Sequence, residues 1–292
     1  MSKSDGGKEM FVISVSNQKG GVGKTSSASS CSAELAIRGY RTLVIDGDPQ
    51  ANLTSNLLPP APEPFKHTLL DLIAGDAQVR IIDAAVKTEV ERLSIIPTNL
   101  GLAKFEQEPS DSIHVLREKL LEVEDLFDFV IIDNPPSLSQ LLISSLTAST
   151  HVIIPISAQP MAQEGLQDLL STYKRVTSRS NKDLALLGMV ITLFDARTGV
   201  NATMLKSIRS KFGDLVFDTI IHRNVKLEEC PAVHQPIQVY SPDSRGAQNY
   251  SALTDEFLTR LGMPARKDGA GVDEEVEVEP LMAAGGAGSK EV

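Results

Sequence analysis

Seven consecutive residues, Lys19-Gly20-Gly21-Val22-Gly23-Lys24-Thr25, put two ammonium groups, three glycines and a hydroxyl into one short loop. Glycines this dense let a backbone turn tightly with its N–H groups facing one point. A helix beginning there would add its positive end, so the chemistry such a loop suits is polyphosphate binding. Lys24 is placed to reach the outer phosphates, and Thr25 to set its hydroxyl on Mg²⁺. The general phosphate-loop pattern asks for glycine at position 18, where Gln18 stands; Lys19 is the more informative departure. Three carboxylates complete the reactive inventory: Asp46 and Asp48, two apart, and Asp133 at the end of an apolar run. Asp48 lies in a Gly-Asp-Pro turn and would serve there as a capping residue on turn chemistry alone.

Elements must hold these groups together. Phe11-Val-Ile-Ser-Val15 precedes the loop and reads as a strand, and Ser26 to Ile37 reads as the helix after it. Arg41 to Asp46 and Phe129 to Asp133 are short, β-branched and almost wholly apolar, as strands buried on both faces of a parallel sheet are. Carboxylates at the carboxyl ends of such strands fall near the loop mouth, where open α/β sheets bind ligands. Further along, strands are expected at 93–97, 151–155, 186–193 and 215–220. Helices are expected at 69–73, capped by Thr68 and closed by Gly75, and at 112–121, 139–148, 161–176, 201–212 and 245–261. This alternation predicts an α/β fold, a mostly parallel doubly wound sheet with helices on both faces, in a single domain. Residues 1–9 are expected to be a flexible N-terminus, 10–265 the domain and 266–292 a disordered acidic tail.

The chain has 292 residues, 41% of them hydrophobic, enough for one substantial core. Its two cysteines, Cys31 and Cys230, and its five histidines show no ligand spacing, so neither a disulfide framework nor a histidine- or cysteine-bound metal is indicated. No apolar run is long enough to span a membrane and no signal-peptide core is visible, which leads to the expectation of a cytoplasmic protein. The net charge of −10 argues against a uniformly basic nucleic-acid binder, yet residues 171–230 hold ten Lys/Arg against six Asp/Glu. Within that stretch Lys206 and Arg209 are three apart on one helix face, with Lys211, Arg223 and Lys226 following. Such a cluster reads either as an ordinary solvated helix face or as a phosphate-contacting surface.

The loop KGGVGKT resembles the deviant Walker A motif of the ParA/MinD class of P-loop ATPases at all seven positions. The likeness to ParA/Soj-type partition ATPases runs from about residue 11 to 262. It also rests on Asp46-x-Asp48-Pro-Gln-x-Asn, Ile131-Ile-Asp-Asn-Pro-Pro-Ser137, Val152-Ile-Ile-Pro155, Ile221-His-Arg-Asn-Val225 and Tyr240-Ser-Pro-Asp-Ser-Arg-Gly-Ala247. Ser26, Asn134, His222 and Cys230 depart from the family pattern. The resemblance implies a P-loop NTPase fold and Mg²⁺-dependent ATP hydrolysis that is weak without a partner. It implies that the loop residues from Lys19 to Ser26 bind ATP, that Thr25, Asp46 and Asp133 serve the metal, and that Asp48 orients the attacking water. Lys19 would reach across an ATP-dependent homodimer to the partner's nucleotide. It further implies nonspecific double-stranded DNA binding on the nucleoid, an activating ParB-like or other partner protein, and a chromosome, plasmid or protein-cluster cargo. Two other classes share the loop: MinD-like membrane-associated division regulators and metabolic ATP-dependent ligases. The acidic stretch Val272 to Glu279 fits poorly with anionic lipid.

Overall fold

Phe11–Val15 forms β1, a central strand flanked by the two whose ends matter most to the loop. The computed structural model describes residues 10–74, 78–107, 110–159 and 164–263. After β1 come α1 (Lys24–Ile37), β2 (Thr42–Asp46), α2 (Asn52–Leu57), α3 (Leu69–Ile73), α4 (Ile81–Ala84), β3 (Val86–Lys87) and β4 (Leu93–Ile96). Two 3-10 segments, Leu100–Gln107 and Ser110–His114, lead into α5 (Val115–Leu121), β5 (Phe129–Asp133), α6 (Gln140–Ala148) and β6 (His151–Ser157). The remainder is α7 (Glu164–Arg179), β7 (Ala185–Phe194), α8 (Gly199–Phe212), a 3-10 turn at Gly213–Leu215, β8 (Val216–His222), α9 (Val225–Val233), α10 (Ile237–Tyr240) and α11 (Arg245–Arg260).

The strands order as β3-β4-β2-β5-β1-β6-β7-β8, with every pairing parallel except the two-residue edge strand β3. Alternate residues of the buried strands face two different helix layers. Ile13, Val15, Val44, Ile131 and Phe129 pack with Tyr40, Leu53, Tyr250 and Phe257 on one side. Val12, Leu43, Ile45, Val130 and Ile132 face α3, α5 and α6 on the other. Over the same second face, Val152, Ile154, Met189 and Ile191 pack with Leu166, Leu169 and Val176 of α7 and Ile208 of α8. α7 and α8 are therefore neighbours over successive crossovers, and both run antiparallel to the strands.

The expected doubly wound sheet is the observed one. Thr68 caps α3 through a reciprocal box with Asp71, while Gly75 lies outside the described residues, as do residues 1–9, the 266–292 tail and positions 161–163 of the expected long helix. The helix expected at 112–121 opens as a 3-10 segment and becomes α-helical only at Val115. Sequence reading found no regular structure at α2, α4, β3, α9 and α10, which are short or, in α9, carry an internal proline, Pro231.

Candidate nucleotide site

β1 delivers the loop between β5 and β6 at the carboxyl edge of the sheet, and contacts to two distant residues, Pro155 and Thr192, pin it there. The Asn17 amide donates to the Pro155 carbonyl of β6 (2.6 Å) while its oxygen accepts from Lys19 N (3.0 Å). From β7, the Thr192 hydroxyl donates to the Val22 carbonyl (2.8 Å). Gly21 and Gly23 sit at φ 69° and 81°, left-handed conformations that a Cβ would strain, and Gly23 is the residue from which α1 starts. The first-turn N–H groups of a 14-residue helix thus face the loop interior. Gly20 and Gly21 are exposed, Val22 is buried, and Lys19, Thr25 and Ser26 are half-buried. Lys24, only 7% exposed, donates through Nζ to the Lys19 carbonyl (3.3 Å). Burial holds its ammonium below the ordinary lysine range, against the attraction of Asp133 and Asp48.

Parallel register sets the carboxylates beside the loop: Asp133 pairs with Val15 of β1 on one side and Asp46 of β2 on the other. The Thr25 hydroxyl donates to Asp133 Oδ2 at 2.7 Å, and Asp133 Oδ1 is buried with no hydrogen-bond partner among the described residues. Burial, reinforced by the neighbouring charge of Asp46, pushes the Asp133 carboxyl up to about 8. A buried carboxylate with an unsatisfied oxygen beside a hydroxyl is the donor set of a hard divalent cation. Among the described residues no trio of Asp, Glu, His or Cys could hold a metal unaided. A Mg²⁺ ion here would therefore complete its shell with phosphate and water oxygens, as Mg²⁺ characteristically does.

Asp46, expected to support the metal shell, has both oxygens in hydrogen bonds. Its Oδ2 accepts from the Thr54 amide and hydroxyl, both at 2.7 Å, and its Oδ1 from the Asp48 amide at 3.2 Å. It thereby fixes the 46–54 loop, and burial pushes it up to about 6 despite those bonds. Gly47 lets that loop lie against β5: its N–H donates to the Asp133 carbonyl (2.9 Å), and a Cβ there would come within 2.6 Å of the same oxygen. Asp48, 9% exposed, accepts from the Gln50 amide (3.0 Å), so its turn-capping contact is present in the structure. It also stands close enough to Lys24 and Asp133 to act on their charges.

Asn17, Thr54 and Thr192 escaped sequence reading, since each acts on a segment far away or lies outside the loop motif. Asn134, noted as a departure, lies just past β5 and donates toward Ser14 Oγ (2.7 Å), the Val15 carbonyl (3.1 Å) and Ser16 Oγ (3.1 Å), tying the Asp133 strand to the loop strand.

The five candidate DNA-contacting residues are not brought into one patch. Lys206, Arg209 and Lys211 are exposed on α8, and Arg209 donates to the Asp218 carbonyl near the start of β8 (3.1 Å). Arg223 and Lys226 follow the other end of β8, roughly 17 Å further along at the strand rise of ~3.3 Å per residue. There each is paired with an acid, Arg223 with Glu228 (3.2 Å) and Lys226 with Glu229 (2.8 Å).

Comparison with known proteins agrees with this architecture. A family profile described as AAA domain matches residues 10–186. The sporulation initiation inhibitor protein Soj of Bacillus subtilis is 41% identical over 248 residues, covering 84% of this chain and 97% of that protein. The chromosome-partitioning ATPase Soj of Treponema pallidum is 41% identical over 259 residues, covering 88% and 99%. Among solved structures, cobyrinic acid a,c-diamide synthase from Mycobacterium smegmatis with bound ADP and magnesium superposes with a TM-score of 0.75 at 31% identity, covering 89% of this chain and 98% of that one.

Proposed function

Because this chain belongs to the family of ParA/Soj-type partition ATPases, we propose that it is a Mg²⁺-dependent positioning switch that dimerises on ATP and binds double-stranded DNA without sequence preference. A ParB-like or other partner protein stimulates hydrolysis and resets it, and the cycle moves a chromosome, plasmid or protein-cluster cargo. The observation that carries the reading is the Thr25–Asp133 contact beside a buried Lys24, at the mouth of a loop with all seven residues of the family pattern.

In this reading the loop N–H groups and Lys24 hold the β- and γ-phosphates, and Lys24 gains a counter-charge that offsets its burial. The Thr25 hydroxyl and Asp133 carboxylate would hold Mg²⁺, which when bound neutralises charge developing on the phosphates. Asp48 accepts a hydrogen bond from the attacking water and aligns it, and Asp46 keeps Asp48 in place through the 46–54 loop. Lys19 serves the partner subunit's nucleotide as a charge clamp of the arginine-finger kind. DNA phosphates meet the exposed cations of α8, where no acid neutralises Lys206 or Lys211 among the described residues. No described helix is long and apolar enough to cross a membrane.

A second reading, an ATP-dependent amidating ligase, draws on the likeness to the diamide synthase. Steady-state ATP turnover separates the two. The switch reading expects hydrolysis that rises with arbitrary-sequence duplex DNA plus a partner protein. Turnover that instead requires a small carboxylic acid and an amide donor would replace it with the ligase.

A further inference from the structure

At the amino edge of the sheet, opposite the nucleotide loop, two neighbouring helices end in cations. Lys174, Arg175 and Arg179 are exposed on the last turns of α7, with Lys182 exposed just after it. Lys206, Arg209 and Lys211 are exposed on α8. Among the described residues none of these seven forms an ion pair, whereas Arg197, Arg223 and Lys226 at the carboxyl edge each hold an acid. The acids nearest in sequence, Asp183, Asp214 and Asp218, leave the face with an excess of positive charge.

The described chain leaves the fold at this same edge. Arg260, the last residue of α11, donates to the carbonyls of Leu187 (3.0 Å) and Val216 (3.1 Å), at the starts of β7 and β8, and lies 3.9 Å over the Phe217 ring. Gly188 leaves room for that side chain, since a Cβ there would come within 2.6 Å of Arg260 Nη1. A groove of about 320 Å³ is lined by Arg260 together with Arg209, Gly213, Asp214, Val216 and Asp218, so the exit point and the end of α8 share one depression, its two arginines facing two aspartates. Beyond Met263 the sequence contains Asp273-Glu274-Glu275-Val276-Glu277-Val278-Glu279, five carboxylates with no cation among them.

We infer that the acidic segment Asp273–Glu279 docks intramolecularly on the basic face formed by the ends of α7 and α8, as a built-in competitor for polyanions. Reach permits it. The ten residues from Met263 to Asp273 span up to about 35 Å when extended, and α7 and α8 contribute to one core cluster over the same face of the sheet. Tethering at such a distance gives an effective concentration in the millimolar range, so weak charge pairing suffices to hold the segment at low salt and to release it as salt rises. The docking itself rests on charge and position; its consequence for DNA rests on the DNA-binding reading above.

Zero-length carbodiimide coupling of the wild-type full chain, read by mass spectrometry at low protein concentration, tests the contact directly. Carboxylates of 273–279 should couple to Lys174, Lys182, Lys206 or Lys211 within one molecule, and coupling should vanish at about 0.5 M salt. In parallel, the full chain and its D273N/E274Q/E275Q/E277Q/E279Q variant are titrated with an arbitrary-sequence duplex in the presence of ATP. The variant should bind about fivefold or more tightly near 50 mM salt, with the difference fading as salt rises. Coupling without DNA binding by either protein would uphold the docking and sink the DNA reading. Absence of intramolecular coupling, or coupling only between molecules, would overturn the docking.

Discussion

The Thr25 hydroxyl and the Asp133 carboxylate meet at 2.7 Å although 108 residues separate them, because β5 pairs with β1 in a register that ends both strands at one level. A buried carboxyl pushed up to about 8 binds a proton in the folded chain that it releases in the unfolded one. Between pH ~4 and ~8 the native state therefore carries the extra proton, and stability falls as pH rises through that window. Asp46, at about 6, acts in the same direction over a narrower range. Denaturant unfolding of metal-free protein should show greater stability at pH 5 than at pH 8. Asp133→Asn should flatten that slope and remove the Mg²⁺ dependence of nucleotide affinity. An unchanged slope would mean that Asp133 is ionised without a metal.

Lys24 is the buried cation of the loop, at the start of α1, where the proposed function has it meet the outer phosphates. Lys24→Ala should lower ATP affinity by about 100-fold or more, as loss of a charge-assisted contact to a multiply charged ligand requires. Calorimetric titration showing wild-type affinity would remove Lys24 from the site.

Asp48 touches the Gln50 amide and also lies among the charges of the loop mouth, so turn capping and water alignment have to be told apart by function. Asp48→Ala should bind ATP normally, accumulate as the ATP-bound dimer, and hydrolyse ~100-fold more slowly. A variant that merely loosens the turn would lose some stability and keep its turnover.

Much of this arrangement is legible in the sequence, for a physical reason. Strands buried on both faces, such as Phe129–Asp133, must be apolar runs, and a carboxylate closing one marks the ligand edge. The supporting contacts are less visible: Thr192 reaches Val22 across 170 residues, and only the strand order reveals it. Basic residues mislead in the opposite way. Arg209 and Arg223 look close in sequence, yet β8 runs between them and sends them to opposite edges of the sheet. The α7 cations, counted in the charge excess of 171–230, take on meaning only once α7 is seen beside α8.

Lys19 carries its backbone N–H to Asn17, which fixes where its half-buried side chain leaves the loop. If that side chain serves the partner subunit's nucleotide, Lys19→Ala should bind ATP as a monomer yet neither dimerise nor hydrolyse. Size-exclusion chromatography with ATP giving a normal dimer would contradict the assignment.

The DNA surface is tested by replacing Lys206 and Arg209 with Glu. Both are exposed, and Arg209's contact is to a carbonyl and not to an acid, so the exchange disturbs no ion pair among the described residues. ATP-dependent dimerisation should survive, because neither residue lies near the nucleotide loop. Duplex affinity should fall by a similar factor for every sequence tried if, as proposed, these cations contact phosphates and not bases. Each lost phosphate contact should also flatten the slope of log affinity against log salt by ~0.9. Arg223→Glu together with Lys226→Glu is the matched comparison, as those cations already hold acids at the opposite edge. If the α8 pair leaves affinity and slope unchanged while the β8–α9 pair abolishes binding, the DNA surface belongs to the carboxyl edge and the α8 assignment is wrong.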